Sequence, residues 1–353
     1  MSTIQTNAIV DAAGGNTATV NGISPLANTA RFARNIIING DMKINQRAAG
    51  SLTINSAALQ YPCDRFSGRG VSSAGVFTLE KVTDSPADFT NSLKATVTTA
   101  DSSLSGTESY RIIQHIEGNN ISYLNWGSSD NQTATLSFKV KSSLTGTFGG
   151  SVQNGDFDRF VPFSYTISSA NTWEDKTVTI TGDTTGTYQT NIDLAVRLNW
   201  SLGAAQLGTA GTYSGSALHG VTGQTQVIST NGATWQVTGV QLELGSAATD
   251  FEHRSFAEEL AACQRYYEVT QGGTTEYAET TGAYYISVPF RVQKRAAPTL
   301  TTLAQTENCA SNAAVTTAGA SMDNTLGARV YANNRFVAGL KYWYARFSAD
   351  SEL

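Results

Sequence analysis

Charge is scarce in this chain. Only 14% of its 353 residues are Asp, Glu, Lys or Arg, against roughly 25% in an average globular protein. The net charge is −5, and Lys and Arg are dispersed. No basic face for phosphate backbones is expected, which excludes nucleic acid as a partner. No apolar run approaches the length of a membrane span, so membrane insertion is excluded too. The opening residues, MSTIQTNAIVDAAGG, lack a basic start followed by an apolar stretch, which argues against a cleaved secretory signal. Cysteine is almost missing: Cys63, Cys263 and Cys309 are far apart, odd in number and form no C-x-x-C pair. They exclude a disulfide framework and are read as buried or indifferent thiols made in a reducing cytoplasm.

Gly, Ser, Thr and Asn supply the polarity instead. Thr favours a pleated surface, while Gly and Asn favour turns, so the composition suits strands joined by tight turns. The run ATLSFKVK alternates Ala134, Leu136, Phe138 and Val140 with Thr135, Ser137, Lys139 and Lys141. NIDLAVRLNW does the same with Ile192, Leu194, Val196, Leu198 and Trp200. Each pattern predicts a strand with one buried face. GVFTLEKV, YRIIQHIE, PFSYTI and KTVTITG are shorter candidates, and RNIIING ends at Asn39-Gly40, a favoured hairpin turn. Near the end of this region Trp235 and Val237 share one phase, and Val240, Leu242 and Leu244 the other. A bulge at Thr238-Gly239 accounts for the shift. No helical period of useful length precedes Ser255. The fold class is therefore all-β, an antiparallel sandwich.

Ser255 and Glu258 then make a capping box, and Phe256, Leu260, Cys263 and Tyr267 fall on one helical face, with Gly272-Gly273 expected to end the element. Residues from about 274 read as strands again. Tyr284, Ile286, Val288, Phe290 and Val292 share one face, and Pro289 points to a sheet edge. This gives an extended N-terminal arm at 1–33, an antiparallel sandwich at 34–254, a linking helix at 255–271 and a second, small β-sandwich at 272–353. The arm buries too little to order itself and gains order against another chain, or stays a flexible leader.

Five motifs occur in one order: RNIIINGDMKINQR, YPCDRF, WEDKTVTITGDTTGTY, TGVQLELGSAATDFEHRSFAEELAACQRYYE and VQKRAAPTLT. Together they resemble a family of phage tail-fibre-like virion proteins, over most of the chain. The resemblance implies a jelly roll similar to carbohydrate-binding modules, a short helix bearing CQRYY, and a small β domain beginning near KRAAPT. Asp250 departs from the pattern, standing where a Pro is common, which loosens the joint before the helix. The family implies a homotrimeric virion appendage, made in the host cytoplasm. The arm would meet other phage tail or capsid proteins, and the distal domain host cell-surface polysaccharide. A tail or capsid decoration component without its own receptor is the alternative, and a polysaccharide depolymerase a further one.

The densest charge cluster is Phe251-Glu252-His253-Arg254. A catalytic or metal site needs several groups converging on one point. His115 and His219 lie far away in sequence, and no HExxH or G-x-S-x-G pattern occurs. The cluster reads as a joint, with Phe251 plugging the sandwich floor and Glu252 pairing with Arg254. Asn154, Asp156 and Asp158 in NGDFDRF are spaced like the start of a calcium loop but lack its Gly and distal Glu, so a hairpin turn is expected. No catalytic, cofactor-binding or metal-binding residue is assigned. Ligand contact is assigned to aromatic rings, which cover the apolar face of a sugar. Trp200 and Trp235 keep core phase. Trp126, after NNISYLN, is expected in an exposed loop. Tyr277, Tyr285, Tyr331 and Tyr342 hold polar-face or near-turn positions in the terminal domain, where packing or contact between subunits is an equal reading. Low charge with abundant Ser, Thr and Asn suggests a neutral, hydrogen-bonding surface facing sugar.

Overall fold

The computed structural model describes residues 34–71, 74–278, 284–307, 313–316, 325–332 and 339–353; the arm at 1–33 lies outside the described residues. The chain begins with β1 (Leu52–Ile54), β2 (Gln60–Cys63), β3 (Phe66–Gly70), β4 (Val76–Val82), β5 (Ser92–Thr99) and β6 (Ser109–Glu117). It continues through β7 (Ala134–Ser142), β8 (Gly146–Asn154), β9 (Phe160–Ile167), β10 (Glu174–Ile180) and β11 (Leu194–Ala204). Two short strands, β12 (Leu207–Gly208) and β13 (Gly220–Val221), precede β14 (Thr234–Leu244).

Twelve of these strands form two six-stranded antiparallel sheets, ordered β1-β4-β5-β14-β7-β10 and β2-β3-β6-β11-β8-β9, and β12 and β13 pair in parallel. The two large sheets pack face to face as a jelly-roll sandwich. In β7 the predicted alternation holds: Ala134, Leu136, Phe138 and Val140 are buried. The core between the sheets is aromatic. Phe138 meets Trp200 edge-on at 5.9 Å and Tyr165 at 5.0 Å, and Trp200 lies 6.4 Å from Trp235. Edge-on rings gain quadrupole attraction beyond the area they bury. The Trp235 indole donates to the Tyr165 hydroxyl at 3.0 Å, joining the two sheets by a buried hydrogen bond. Ile192, assigned to the apolar face of β11, lies before the strand begins and is exposed.

The bulge in β14 is present. Its register against β7 shifts between Thr238 and Gln241, and Gly239 has φ +60°. A Cβ there would stand 2.8 Å from the Phe89 ring, so only glycine fits. The freed backbone of β14 pairs with the RNIIING segment: Val240 N donates to Gly40 O and Ile36 N to Leu242 O, both at 2.9 Å. The turn at Asn39-Gly40 exists, with Met42 N donating to Asn39 O at 3.0 Å, but it closes no hairpin. Its flanks bond to the bulge rather than to each other.

The charged cluster is a joint. Glu252 accepts from Arg34 N at 3.1 Å and Asn35 N at 2.8 Å. Arg254 donates to Ile37 O and Asn35 O, and lies 3.4 Å from Glu252 and 3.5 Å from Glu259. Phe251 packs on Phe89 and His253, at 5.1 and 4.9 Å between ring centroids. Helix α1 (Phe256–Gln264) follows with the capping box in place. Its buried residues are Glu259, Cys263 and Gln264, while Phe256 is 61% exposed. The apolar-face reading therefore fails at Phe256. Glu259 turns inward because its carboxylate receives Asn39 N and Arg254.

The helix also ends earlier than expected, at Gln264, because Tyr267 already starts β15 (Tyr267–Ala278); Gly272 and Gly273 lie inside that strand. Next come β16 (Tyr284–Pro289), β17 (Thr299–Glu307), β18 (Ala313–Thr316), β19 (Gly327–Ala332) and β20 (Gly339–Asp350). They form two three-stranded sheets, β15-β20-β17 and β16-β19-β18. Pro289 closes the edge strand β16, where a missing N–H costs no ladder bond. These sheets attach to the jelly roll through ion pairs: Arg265 grips Glu117 at 2.6 and 2.9 Å, and Arg65 pairs with Glu352. Within the terminal part, Lys294 meets Glu268 at 2.6 Å with both side chains fully buried.

Asn39 is the densest knot of this joint. Its side chain bonds Ile44 O, Asp64 O and Ile44 N at 2.8–2.9 Å, and its backbone is left-handed at φ +62°. Asn39→Ala leaves these groups unpaired and puts a Cβ-bearing residue without a local hydrogen bond in that conformation. A loss of about 3 kcal/mol in urea unfolding is expected. A loss under about 1 kcal/mol would contradict this role.

Candidate functional site

Strand β11 is buried on both faces. Its inward residues, Val196, Leu198, Trp200 and Leu202, belong to the core. Its outward residues are Arg197, Asn199 and Ser201. Register places Arg197 between His115 of β6 and Gln153 of β8, Asn199 between Ile113 and Ser151, and Ser201 beside Arg111. On the next strand Arg69 stands opposite Arg111. One sheet face thus gathers three arginines and several amides and hydroxyls. Arg111 and His115 of β6, and Arg197, Asn199 and Ser201 of β11, share this face because a strand alternates its faces; Ile113 lies between the first two.

A segment from Gln206 to Gln224 crosses outside this face. Gln224 donates to the Ser201 hydroxyl at 2.8 Å. His219 Nδ1 lies 3.2 Å from Arg111 Nη1 and 3.0 Å from Gln153 Nε2. Two donors converge on that nitrogen, so it accepts, and the imidazole is neutral with its proton on Nε2. Arg197 Nε donates to His115 Nε2 at 2.9 Å, which makes His115 neutral as well. Burial, then the guanidinium groups of Arg111, Arg197 and Arg69, push His219 down to about 3. Burial and the neighbouring arginines hold His115 far below its ordinary value. Arg111 is drawn down to about 9 and Arg197 to about 10, in both cases by burial first and by arginine neighbours second. Both keep their charge at neutral pH.

The turn between β8 and β9 carries NGDFDRF and is the expected hairpin. Asn154 organises it: its amide donates to Asp158 Oδ1 at 2.6 Å and to Thr187 O, and its carbonyl accepts from the N–H groups of Asp158 and Arg159. This lifts Phe157 into a left-handed conformation, φ +58°, with 42% of its surface exposed. A phenylalanine held there is uncommon. Its ring lies 4.1 Å from the Arg197 guanidinium, a cation–π distance. The arrangement sets an exposed aromatic ring beside recessed hydrogen-bonding groups. Among the described residues no cluster of three or more His, Cys, Asp or Glu is placed to hold a metal.

The aromatic residues singled out from sequence fall elsewhere. Trp126 follows two single helical turns, Gly118–Asn120 and Ser122–Leu124, and is only 7% exposed. The expected exposure is a correction: left-handed Asn125, φ +52°, turns the chain inward. The indole then donates to Gln132 O at 2.7 Å and meets Tyr188 edge-on at 5.7 Å. Trp126 does line a cleft of about 220 Å³ with Tyr188, Asn125 and Gln189, below the ~300 Å³ at which ligand pockets usually begin. Tyr285 stands opposite Tyr331 in the β16–β19 pair, and Tyr342 opposite Thr275, two positions from Tyr277. The side chains of these four tyrosines lie outside the described residues.

Sequence reasoning missed Arg69, Arg111, Arg197, His115, His219 and Phe157. The expected neutral surface is corrected at this face, because register brings together arginines far apart in sequence. The available signal was the off-phase of two strands: Arg111 and His115 in YRIIQHIE, and Arg197 and Asn199 in LAVRLNW.

The depressed histidine fixes a sign for acid sensitivity. An unfolded histidine titrates near 6.5, folded His219 near 3. Between these values the unfolded chain takes up a proton that the folded chain refuses. The stability contributed by neutral His219 is therefore complete above about pH 6.5 and is lost as pH falls toward 3. At pH 5 the loss is about 2 kcal/mol relative to pH 7. His219→Gln, which accepts the same hydrogen bond without titrating, should remove that share of the pH dependence in urea unfolding at the two pH values. An unchanged dependence would contradict the assignment.

No family model matches the chain, and no curated protein matches it. Among solved structures it is similar to the enzymatically active domain of bacteriophage CBA120 tailspike protein 4, at 13% identity and TM-score 0.32, over 60% of this chain. The match spans only 22% of that tailspike chain. It is similar to TmCBM61, a structure in complex with β-1,4-galactotriose, at 9% identity and TM-score 0.30, over 60% of this chain and 99% of that one. It is also similar to the family 11 carbohydrate-binding module of a Clostridium thermocellum cellulosomal cellulase, at 11% identity and TM-score 0.28, over 59% of this chain and 99% of that one. Likenesses this distant carry no argument about ligands, and the fold rests on the sheets themselves.

Proposed function

We propose that this chain is a non-enzymatic attachment protein of a phage virion appendage, of the tail-fibre kind, binding host-surface glycan. The observation that carries the sugar-binding part is the outer face of β6, β11 and β8. There an exposed ring, Phe157, stands 4.1 Å from the Arg197 guanidinium, and half-buried Arg69 lies on the same face. A ring covers the apolar C–H face of a pyranose while recessed donors and acceptors take its hydroxyls. The virion part is supported by the five ordered motifs. The arm at 1–33 docks to other tail or capsid proteins, and a homotrimer repeats the weak sites so that avidity exceeds the affinity of each. The terminal sheets, joined to the jelly roll by Glu117–Arg265 and Arg65–Glu352, extend the appendage.

Purified host-envelope polysaccharide should retard the protein in affinity electrophoresis without release of reducing ends. Phe157→Ala should weaken retention roughly tenfold, the equivalent of about 1.4 kcal/mol, with an unchanged unfolding midpoint. Reducing-end release would establish an enzyme instead, and absence of retention on every envelope fraction would leave a decoration component without a ligand.

A further inference from the structure

We infer that the ligand of this face is an acidic saccharide, one bearing carboxylate or sulfate groups, held by Arg69, Arg111 and Arg197; this rests on the glycan-binding reading above. The fold leaves charge uncompensated on this face. Arg111 is 3% exposed and Arg197 9%, and Arg69 is half-buried. Among the described residues none of the three has a carboxylate within ion-pair distance. The other fully buried cations are treated differently: Arg65 pairs with Glu352 and Lys294 with Glu268. A buried guanidinium without an anion is costly to fold, since it loses water and gains no opposite charge.

The hydrogen bonds point the same way. Each guanidinium carries five N–H donors. Arg197 donates through Nε to His115, and Arg111 through Nη1 to His219 and, at 3.5 Å, to Asn199. Arg69 Nε and Arg111 Nε are buried without any acceptor. The neighbouring histidines are neutral and already occupied. What the face lacks is an acceptor with several lone pairs and negative charge, and carboxylate and sulfate match the planar fork of arginine. Phe157 above Arg197 adds a contact that a bare anion cannot use but a sugar ring can. Arg69 and Phe157 are the members that reach solvent.

Titration calorimetry of the full chain should compare an oligogalacturonate, a sulfated oligosaccharide, a neutral oligosaccharide of equal length, and sodium sulfate and phosphate alone. The acidic sugars should bind more than about tenfold tighter than the neutral one. Raising ionic strength from about 0.05 M to about 0.5 M should weaken them alone. Arg69→Gln, at a half-buried position, should cancel most of the acidic preference while unfolding like the parent. Arg69→Lys should keep part of it, and Arg197→Gln provides a second test. Equal binding of neutral and acidic sugars overturns the acidic assignment and leaves glycan binding standing. Sulfate or phosphate binding as tightly as the acidic sugars overturns the saccharide and marks a plain anion site. Binding of no saccharide and no anion removes both readings.

Discussion

The register of β11 is the constraint on which the rest of the molecule depends. The strand has no solvent face. Its even-numbered positions from Val196 to Leu202 fill the core, and Arg197, Asn199 and Ser201 form the polar outer face. A slip of one residue would drive Arg197 into the aromatic core and turn Trp200 outward. Pairing on both sides prevents this, since β11 is laddered to β6 and β8 at once. Irregularities between Leu194 and Val196 and between Ser201 and Gly203 fix its two ends against β6. Core and candidate site are therefore two sides of one strand, and a change that loosens one must disturb the other.

A second set of contacts ties the sandwich to the rest. The bulge in β14 leaves backbone groups that the segment around Asn35 takes up: Asn35 Nδ2 donates to Val240 O at 3.0 Å, and its carbonyl accepts from Leu242 N at 3.1 Å. From there Glu252, Arg254 and Glu259 carry the connection into α1, and Glu117, Arg265 and the Tyr266 hydroxyl carry it on to the terminal sheets. Few residues are charged, yet many of those are buried here. Their value lies in direction: hydrogen-bonded ion pairs fix one orientation between bodies, where apolar contact alone would tolerate several.

Much of the fold was legible because periodicity survives burial on one face. β7 and the bulge in β14 follow from alternation, and the capping box at Ser255 from its S-x-x-E spacing. What was not legible has physical reasons. Phe256 is apolar and in phase, yet exposed, because the joint needs the Glu259 carboxylate on the inner side. Trp126 sits in a turn, yet buried, because left-handed Asn125 redirects it, and nothing in NNISYLN declares that conformation. The candidate site was hidden for a different reason. Arg69, Arg111 and Arg197 come from three strands, and only long-range register makes them neighbours. Phe157 looked like part of a turn, which it is. Its role depends on the strand beneath that turn.

The low charge of the chain and its concentrated arginines are parts of one picture. A surface rich in Ser, Thr and Asn does not repel polysaccharide, and a recessed cationic face can then select among sugars by charge. Whether ligand meets the outer face of β6, β11 and β8 can be read by nuclear magnetic resonance of the arginine Nε–H groups during titration with an acidic oligosaccharide. Saturable shifts are expected at Arg69, Arg111 and Arg197, together with the Phe157 ring. Shifts confined to the Trp126 indole or to the terminal sheets, with the three arginines unmoved, would contradict binding at this face.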